Sequence, residues 1–465
     1  MAQPRLIVVS NRIPTGEAPS GGLVVAVHDA LKARGGIWIG SSGKPVDTPD
    51  PGLRTISSAP YRRLAFDLSH EEYEGFYLGY SNAVLWPLFH HRADLISVDP
   101  DHARTYREVN DRVAGLIASV AEPDDLIWIH DYHFLPLAAA LRKRGLSNRI
   151  AFFLHIPFPT ASDMPALPEQ GLMSGWLAAY NLVGLQTNRD VSNCQDFLRG
   201  SGKVKPLAGG VMQYKDRHFV LRSFPIGIDV DSLATAAADA DTAALRLGEG
   251  ERLILGVDRL DYSKGLPNRF EAFGTYLSRR APDDPRATLL QIAPPSRQDV
   301  EAYKDIRQEL ETMAGSVNGE HAELDWTPIR YIRRNMDRSL LAGLYRRAEV
   351  MLVTPLADGM NLVAKEFVAA QDGADPGVLI LSHFAGAAEQ LDAALMVNPY
   401  DLIDVAKAID KALKMPLHER HARYLSLIAT IREFDIKWWT DTFLAALQDL
   451  APMPAQDPAA YEQLA

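Results

Sequence analysis

The segment from Val353 to Glu366, VTPLADGMNLVAKE, joins an apolar run, an acidic turn and the start of a helical pattern. The apolar run ends at Pro355, and the turn DGMN leads into the amphipathic run that begins at Leu362. The first N–H groups of a helix have no intrahelical partner, and the helix dipole adds partial positive charge, so this position favours a phosphate. Glu366 could accept hydrogen bonds from ribose hydroxyls, and Asp358 could do the same for a sugar ring. An ordinary strand, turn and capped helix would show the same pattern.

Two cations follow another apolar run of the second half. In VDRLDYSKG, residues 257 to 265, Arg259 and Lys264 come just after a buried run, and Gly265 permits a tight turn. An Arg and Lys pair supplies fixed positive charge that can neutralise a departing diphosphate without a metal ion. A solvated basic turn is the alternative interpretation, but cations directly after a core strand usually have an anionic partner.

Three histidines and an aspartate stand near the ends of two apolar runs in the first half, in IHDYH at 129 to 133 and at His155. A metal site must be considered, but the H-E-x-x-H spacing is absent and the chain offers no obvious third-ligand pattern. Hydrogen bonding to a polyol is the favoured hypothesis, in which Asp131 holds an acceptor hydroxyl and His155 holds a hydroxyl of a donor sugar. Core or capping roles would also explain these residues.

The N-terminal region holds a further place where a phosphate or sugar could approach the backbone closely. Ser10-Asn11-Arg12 ends the first apolar run, and the pair Gly21-Gly22 precedes a helical pattern. A flexible surface loop explains that glycine pair equally well. GSSGK at 40 to 44 lacks both the first glycine and the final Ser/Thr of a Walker loop, and no G-x-G-x-x-G follows an apolar run. A dinucleotide dehydrogenase therefore lacks its main support.

The apolar runs predict a parallel sheet in each half of the chain. They are continuous rather than alternating, which is typical of strands covered on both faces by crossover helices. These runs lie at 6–12, 126–133, 151–159, 182–187, 253–259, 289–297, 350–355 and 378–386. Helical patterns lie between them at 24–34, 134–144, 266–281 and 300–315. Ligands of such sheets bind beyond the carboxyl ends of the strands, where the polar residues above stand.

The length of 465 residues predicts two domains, because one compact core rarely grows so large. An Ala-rich stretch follows residue 229, so we predict an N-terminal domain of residues 1–232 and a C-terminal domain of residues 233–450. The last helical segment, 436–450, can cross back to pack on the first domain. The Pro/Ala-rich residues 451–465 are expected to form a loose tail.

Composition excludes several classes of protein. The net charge of −11 argues against a nucleic-acid-binding surface, and Cys194, the only cysteine, cannot form an intramolecular disulfide or a cysteine zinc cluster. No segment reads as a signal peptide or as a membrane span, which needs roughly 20 apolar residues. We therefore expect a cytoplasmic protein that binds neither membrane nor nucleic acid; a homo-oligomer is compatible with the sequence.

Taken together, these segments closely resemble the trehalose-6-phosphate synthase family over nearly the whole chain. The matching motifs are SNR at 10–12, YSNAVLWPLFH at 80–90, WIHDYH at 128–133, FFLHIPFPT at 152–160, DRLDYSKGLPNRF at 258–270, QIAPPSR at 291–297 and DGMNLVAKE at 358–366. The resemblance implies an α/β fold of two facing Rossmann-like parallel-sheet domains with an active-site cleft between them. It also implies transfer of glucose from UDP-glucose, or another nucleotide diphosphate glucose, to glucose 6-phosphate. The anomeric configuration is retained, the product is α,α-trehalose 6-phosphate, and no metal or cofactor takes part.

The resemblance further implies roles for particular residues. The residues implied to bind the nucleotide sugar are Gly22, Arg259, Lys264, Asp358, Leu362, Val363 and Glu366. The residues implied to bind the acceptor are Arg12, Tyr77, Trp86, Asp131 and Arg297, although Tyr77 and Trp86 would also suit an aromatic core. The residues expected to act at the reacting centre are His155, Asp358, Arg259 and Lys264. The implied reaction is a front-face transfer in which the leaving phosphate oxygen helps to deprotonate the acceptor, so that Asp358 binds sugar and is not a nucleophile.

Three residues depart from the family pattern. Ser41 replaces the second tryptophan of a GxWxGW motif near the acceptor region, Ala357 replaces an arginine, and Met336 replaces an aromatic residue associated with the nucleotide base. Two other functions therefore remain open: a glucosyltransferase acting on another polyol phosphate such as glycerol 3-phosphate, and a non-catalytic sensor of sugar phosphates. The implied phosphate ligands, which include Arg12 and Arg297, favour a phosphorylated acceptor.

Overall fold

The protein is an α/β protein of two compact units, described by a computed structural model. The structure describes residues 4–14, 22–295, 301–453 and 461. Unit 1 consists of Met1–Pro225 and Trp439–Ala465, and unit 2 consists of Ile226–Trp438. The predicted boundary after residue 232 falls inside a helix of unit 2, because that unit already begins at Ile226. The predicted fold class of two Rossmann-like α/β domains with mainly parallel sheets is confirmed.

Unit 1 is built on a mainly parallel sheet. Its described strands are β1 (Leu6–Arg12), β2 (Gly36–Val46), β3 (Arg54–Ser57), β4 (Arg62–Ser69), β5 (Leu126–His130), β6 (Arg149–Phe153), β7 (Leu182–Leu185), β8 (Val204–Pro206), β9 (Val211–Tyr214) and β10 (Arg217–Ser223). Their order across the sheet is β3-β4-β2-β1-β5-β6-β7-β10-β9-β8, with antiparallel pairs at both edges. In the centre β5 pairs in parallel with both β1 and β6, so the carboxyl ends of these three strands are neighbours.

Helices connect these strands. They are α1 (Gly22–Arg34), α2 (His70–Glu72), α3 (Trp86–Phe89), α4 (Pro100–Ala118), α5 (Leu137–Lys143), α6 (Gln170–Leu177) and α7 (Asn188–Gly200). A π-helical segment, Tyr73–Leu85, links α2 to α3, and short 3₁₀ turns occur at Ala93–Leu95, Tyr132–Phe134, Met164–Ala166 and Ala208–Gly210. Ser69 and Glu72 form a reciprocal capping box at the start of α2, which satisfies two backbone N–H groups.

Unit 2 is built on a sheet whose described strands are all parallel. They are β11 (Arg252–Val257), β12 (Ala287–Ile292), β13 (Ile329–Ile332), β14 (Val350–Val353), β15 (Val378–Ser382) and β16 (Leu395–Val397), in the order β13-β12-β11-β14-β15-β16. Its helices are α8 (Val230–Asp239), α9 (Leu266–Arg279), α10 (Glu301–His321), α11 (Arg338–Arg347), α12 (Leu362–Ala370), α13 (Leu402–Leu413) and α14 (Leu417–Glu433), with 3₁₀ turns at Tyr262–Lys264 and Gly386–Glu389. The pairing of β11 with β14 makes the turns after these two strands neighbours.

The last helix, α15 (Ile436–Gln448), begins in unit 2, and its residues from Trp439 onward belong to unit 1. Trp439 and Phe443 lie with their ring centroids 5.1 and 4.8 Å from that of Trp128. A Cβ atom at Gly184 would come within 2.5 Å of the Phe443 ring, so glycine at this position of β7 allows the helix to approach the sheet closely.

The chain beyond α15 packs on unit 1 where the structure describes it. The side-chain amide of Asn181 donates to the Ala451 carbonyl at 3.0 Å. Met453 is buried, and Tyr461 is buried with the Arg217 guanidinium 3.9 Å from its ring centroid. At these positions the buried aromatic ring and its stacked cation provide an anchor that composition does not reveal, while the loose tail stays a prediction for the other residues of 451–465. No helix in the described part of the chain is long and apolar enough to cross a bilayer.

Candidate active site

An ion pair joins the two neighbouring turns of unit 2. Lys264 Nζ lies 2.6 Å from Asp358 Oδ2, and the side-chain amide of Asn361 donates to the same oxygen at 2.9 Å. The side chains of Lys264 and Asp358 are 10% and 13% exposed. The two turns are also tied by their backbones, since the Ser263 carbonyl accepts a hydrogen bond from Leu356 N at 2.8 Å. The sequence places these residues on separate segments, and the structure brings them together.

Gly265 is required where the turn after β11 meets the turn after β14. Its φ of 62° lies in the left-handed region, and a Cβ atom would clash with the carbonyl oxygen of Thr354. Any other residue would therefore push the two turns apart. Lys264 directly precedes this glycine, so the position of its ammonium group depends on the close approach.

The start of α12 has the geometry of an anion-binding helix terminus. Asn361 adopts φ 70° and ψ 82°, and its side-chain oxygen accepts from Ala364 N at 3.4 Å, which caps the helix. The first-turn residues Leu362 and Val363 are partly exposed, and backbone N–H groups at such positions lie ahead of the first intrahelical bond. Asn361 thus joins the helix cap to Asp358 with one side chain.

Glu366 lies one turn into α12 and is partly exposed. The Tyr345 hydroxyl donates to its Oε2 atom at 3.3 Å. Desolvation raises the pKa of Glu366, while the positive charge of Arg338 and the Tyr345 hydrogen bond oppose that shift. A carboxylate has about four acceptor sites, and the Tyr345 hydroxyl occupies one of them. Glu366 can therefore accept further hydrogen bonds from hydroxyl groups.

Arg269, which the sequence did not single out, connects the ends of three strands of unit 2. It is fully buried, and its guanidinium reaches Asp258 Oδ2 at 2.6 Å, Gln291 Oε1 at 2.9 Å and Thr354 Oγ1 at 2.9 Å. These partners stand at the ends of β11, β12 and β14. Burial raises the pKa of Asp258, and the charges of Arg269 and Lys264 counter this. The signal was its place inside DRLDYSKGLPNRF, one turn after Lys264.

Arg259 follows Asp258 directly and is exposed, so its guanidinium is accessible to an anion in solution. The structure places Arg259 and Lys264 on the same turn after β11. Its position in the sequence carries its assignment to the diphosphate, which stays a prediction.

In unit 1 the ends of β5 and β6 bring His155, His130 and Asp131 together. His130 Nδ1 lies 3.1 Å from His155 Nε2, and Asp131 Oδ1 accepts from the His155 backbone N–H at 3.2 Å. Burial lowers the pKa of His155 to about 3 and the pKa of His130 well below its usual range. Both imidazoles are therefore neutral near pH 7, which suits hydrogen bonding to a polyol.

Asp131 has a backbone conformation that residues other than glycine rarely adopt. Its φ and ψ are 76° and 165°, and its N–H donates to the Phe153 carbonyl at 2.8 Å. Such a conformation costs about 1–3 kcal/mol and persists where the surroundings enforce it, often at functional sites. The strain turns the chain sharply after His130, and it supports a functional role for this turn.

Arg12, the last residue of β1, and Tyr77 lie together near the carboxyl ends of the same central strands. The Arg12 guanidinium carbon is 5.3 Å from the Tyr77 ring centroid, and that ring stacks on His133 at 5.9 Å. Arg12 is exposed and Tyr77 is partly exposed. Tyr77 belongs to the π-helical segment, a rare type of helix that is common at functional sites and that the sequence did not predict.

The remaining predicted residues are placed differently. Trp86 is buried, with its ring 4.1 Å from His90 and 5.7 Å from Tyr132, which favours the aromatic-core alternative over contact with a ligand. Gly22 is the first residue of α1. Arg297 lies outside the described residues. The predicted interdomain cleft and all of these residue roles stay predictions.

Two sequence features near the site have structural explanations. The Ser41 hydroxyl is buried and donates to the Asn11 carbonyl at 2.6 Å, so it helps to join β2 to the end of β1. Ala357 is buried, and its backbone N–H lies 3.3 Å from the Ser263 carbonyl. Within the described ranges, no group of three or more His, Cys, Asp or Glu side chains could hold a metal ion.

Comparisons with known proteins identify the family. The model of glycosyltransferase family 20 matches residues 7–449. A trehalose-6-phosphate synthase of Sodalis glossinidius is 46% identical over 97% of this chain and 97% of its own length. An E. coli structure bound with UDP-2-fluoro glucose has a TM-score of 0.91 at 43% identity, covering 96% of this chain and 100% of its own. A Burkholderia xenovorans α,α-trehalose-phosphate synthase (UDP-forming), solved in complex with glucose-6-phosphate, has a TM-score of 0.90 at 43% identity with the same coverage.

The match spans both units and includes the turns that carry the Lys264–Asp358 pair and the His130–His155 pair. The relatives and the family model indicate an enzyme rather than a binding module. The resemblance noted from the sequence motifs is confirmed, and the chain belongs to glycosyltransferase family 20.

Proposed function

We propose that this chain transfers glucose from UDP-glucose to glucose 6-phosphate and forms α,α-trehalose 6-phosphate with retention of configuration. The observation that carries the proposal is the Lys264–Asp358 pair beside the capped start of α12. A cation, a carboxylate and a helix N-terminus on adjacent turns suit a nucleotide diphosphate sugar. The named relatives, which cover nearly the whole chain, support the same activity.

The donor is proposed to bind along the turns of unit 2. Its diphosphate would take charge-assisted hydrogen bonds from Arg259 and Lys264 and backbone hydrogen bonds from Leu362 and Val363. Glu366 would accept from the ribose hydroxyls through the carboxylate oxygens that Tyr345 leaves available. Positive charge fixed before the reaction stabilises the diphosphate as it departs, without rearrangement at the moment of bond cleavage.

Asp358 is proposed to bind the glucose of the donor rather than to attack it. Its Oδ2 atom already accepts from Lys264 and Asn361, and two such donors stabilise the carboxylate charge and reduce its nucleophilicity. A retaining reaction through a covalent intermediate would need a free carboxylate nucleophile at the anomeric carbon. The contacts of Asp358 therefore favour front-face transfer, in which the leaving phosphate oxygen assists deprotonation of the acceptor hydroxyl.

The acceptor is proposed to bind residues of unit 1. Arg12 and Tyr77 would hold its phosphate together with Arg297, and Asp131 would hold a hydroxyl of its sugar ring. The exposed Arg12 guanidinium beside the Tyr77 ring supports the first part of this assignment. His155, neutral because burial lowers its pKa, would hydrogen-bond a hydroxyl of the transferred glucose.

The test is release of nucleotide diphosphate from UDP-, ADP- and GDP-glucose, each with glucose 6-phosphate and with glycerol 3-phosphate, and identification of the product by NMR. We expect release from UDP-glucose with glucose 6-phosphate and a product with two α-anomeric protons. Release with glycerol 3-phosphate alone would assign Ser41 to a changed acceptor site. No release under any condition would favour a sugar-phosphate sensor. If the diphosphate assignment is tested with Arg259→Ala, the matched control is Arg420→Ala, which removes an arginine of unit 2 that pairs with Asp375.

The setting of the reaction is also proposed rather than established. A cytoplasmic location stays a prediction; Cys194 is buried, and burial raises its thiol pKa, which makes it a poor nucleophile. The predicted absence of nucleic-acid partners and the compatibility with a homo-oligomer stay predictions, which light scattering and nucleic-acid gel shifts would test.

A further inference from the structure

Three buried polar atoms behind His155 have no hydrogen-bond partner among the residues that the structure describes. They are Nε2 of His130 and the indole Nε1 atoms of Trp128 and Trp439. The ring centroids of Trp128 and Trp439 lie 4.5 and 6.5 Å from that of His130, so the three atoms belong to one aromatic cluster of unit 1. Buried polar atoms without a partner are uncommon, and three in one cluster restrict where protons can lie.

The ring protons of His130 and His155 can be arranged in two ways. Both rings are neutral, because burial lowers both pKa values, so each ring carries one proton. The 3.1 Å contact between His130 Nδ1 and His155 Nε2 needs one donor and one acceptor. Either His155 donates from Nε2 and His130 carries its proton on Nε2, or His130 donates from Nδ1 and His155 carries its proton on Nδ1.

The tryptophans distinguish these arrangements. An indole offers a hydrogen-bond donor at nitrogen and no acceptor there. With a proton on Nε2, His130 would add a third buried donor to a cluster that already holds two donors. With the proton on Nδ1, Nε2 carries a lone pair, and the cluster gains no further buried N–H without an acceptor. The second arrangement is favoured, since a buried N–H without an acceptor is rarer in proteins than an under-satisfied acceptor.

We propose that His130 is a positioning residue that fixes His155 as the tautomer protonated on Nδ1, so that His155 presents an N–H donor to a sugar hydroxyl. The identity of that hydroxyl rests on the proposed function, whereas the tautomer does not. His130 occupies Nε2 of His155, which leaves Nδ1 as the ring nitrogen for a ligand, and the residue is partly exposed. Because Asp131 also holds the His155 backbone N–H, both the ring and the main chain of His155 are fixed.

The first test is the protonation state of His155 in the enzyme without substrate. Long-range 1H–15N NMR correlations distinguish Nδ1–H from Nε2–H imidazoles, and the loss of one spin system in His155→Gln assigns the signal. We expect Nδ1–H for both His130 and His155. A proton on Nε2 of His155 would overturn the inference. This readout does not depend on turnover, so it remains decisive even if the proposed glucosyl transfer fails.

The second test separates positioning from packing. His130→Phe keeps an aromatic ring but removes the donor, and we expect a mixture of His155 tautomers and a kcat about tenfold lower, with the KM for glucose 6-phosphate within about twofold of wild type. His130→Asn, whose amide nitrogen can replace the Nδ1 donor, should restore the Nδ1–H tautomer and part of kcat. Phe443→Leu disturbs the same cluster without touching the hydrogen bond and is the packing control.

The inference fails if His155 keeps its tautomer in His130→Phe, or if the kinetics of His130→Phe equal those of Phe443→Leu. If His130→Phe does not fold, the tautomer in the wild-type protein and in His130→Asn still decides the question.

Discussion

The ion pair between Lys264 and Asp358 offers a prediction that separates a structural role from a catalytic one. Both side chains are nearly buried, with 10% and 13% exposed, and their charged atoms lie 2.6 Å apart. Removing one partner leaves the other charge buried without compensation, whereas removing both leaves no buried charge. The free energy of unfolding and the rate of transfer should therefore respond differently to the single and double substitutions.

The magnitudes follow from burial and charge. Lys264→Met or Asp358→Asn should each lower the free energy of unfolding by about 2–4 kcal/mol, somewhat less than for a fully buried pair. For a unit of this size that corresponds to a fall in Tm of roughly 5–15 °C. In the double variant the free energy of unfolding should fall by about 2 kcal/mol less than the sum of the two single losses, because neither remaining side chain carries a buried charge without a partner.

Activity should show no such recovery. Loss of the Lys264 ammonium removes a fixed positive charge from the departing diphosphate and should lower kcat by about a thousandfold. Asp358→Asn should lower kcat by a similar factor through loss of its contact with glucose, and the double variant should be no better than either single variant. Partly restored stability with unrestored turnover is the predicted signature.

The assay combines denaturant unfolding with release of UDP, both at pH 7 for all four proteins. Additive stability losses would refute the ion pair as a coupled unit. Turnover near the wild-type level in Lys264→Met would refute the diphosphate assignment, and recovery of turnover in the double variant would show that the single variants failed by misfolding.

Three further outcomes are expected. Arg259→Ala should lower kcat/KM by about a hundredfold or more and leave Tm unchanged, because the side chain is exposed; a matching loss of Tm would mean that the residue acts in folding. Gly184→Ala should lower the free energy of unfolding by about 1–3 kcal/mol, because its Cβ atom would lie 2.5 Å from the Phe443 ring. In denaturant titrations, the double variant Gly184→Ala with Phe443→Leu should recover part of that loss. The pKa of His155 is about 3 in the folded protein and 6.5 for the free side chain. Between these pH values the unfolded chain binds the proton more readily than the folded protein does. The free energy of unfolding should therefore fall as pH drops below about 6.5. By about pH 5 the loss attributable to this histidine should be about 1–2 kcal/mol, and a His155→Gln variant with an equally steep pH dependence would contradict the assignment.

Several features of the fold were predictable because they depend on residues that are neighbours in the chain. The continuous apolar runs of β1 and β5 carry the signature of strands buried on both faces, and both strands lie in a parallel sheet. The helical patterns at 266–281 and 300–315 correspond to α9 and α10. Hydrophobic period and turn residues act within a few positions, so the sequence displays them directly.

Other features were hidden because their causes lie elsewhere in the chain. The π-helical segment Tyr73–Leu85 packs closely on α4 through Gly75 and Gly79, where Cβ atoms would collide with Thr105 and His102. Arg269 appeared as one residue of a motif, and its role became visible from three partners at the ends of different strands. Composition likewise suggested a loose tail, although Tyr461 is buried against Arg217.

The sequence by itself determined the α/β class, the division into two units and the family, because these depend on local patterns and ordered motifs, and it also suggested most candidate residues. The tertiary structure decided which of those residues meet. Lys264 and Asp358 are 94 positions apart, and they touch because β11 and β14 are neighbours in the sheet. His130 and His155 meet for the same reason at the ends of β5 and β6. Strand order arises from the packing of whole elements, so no local pattern specifies it.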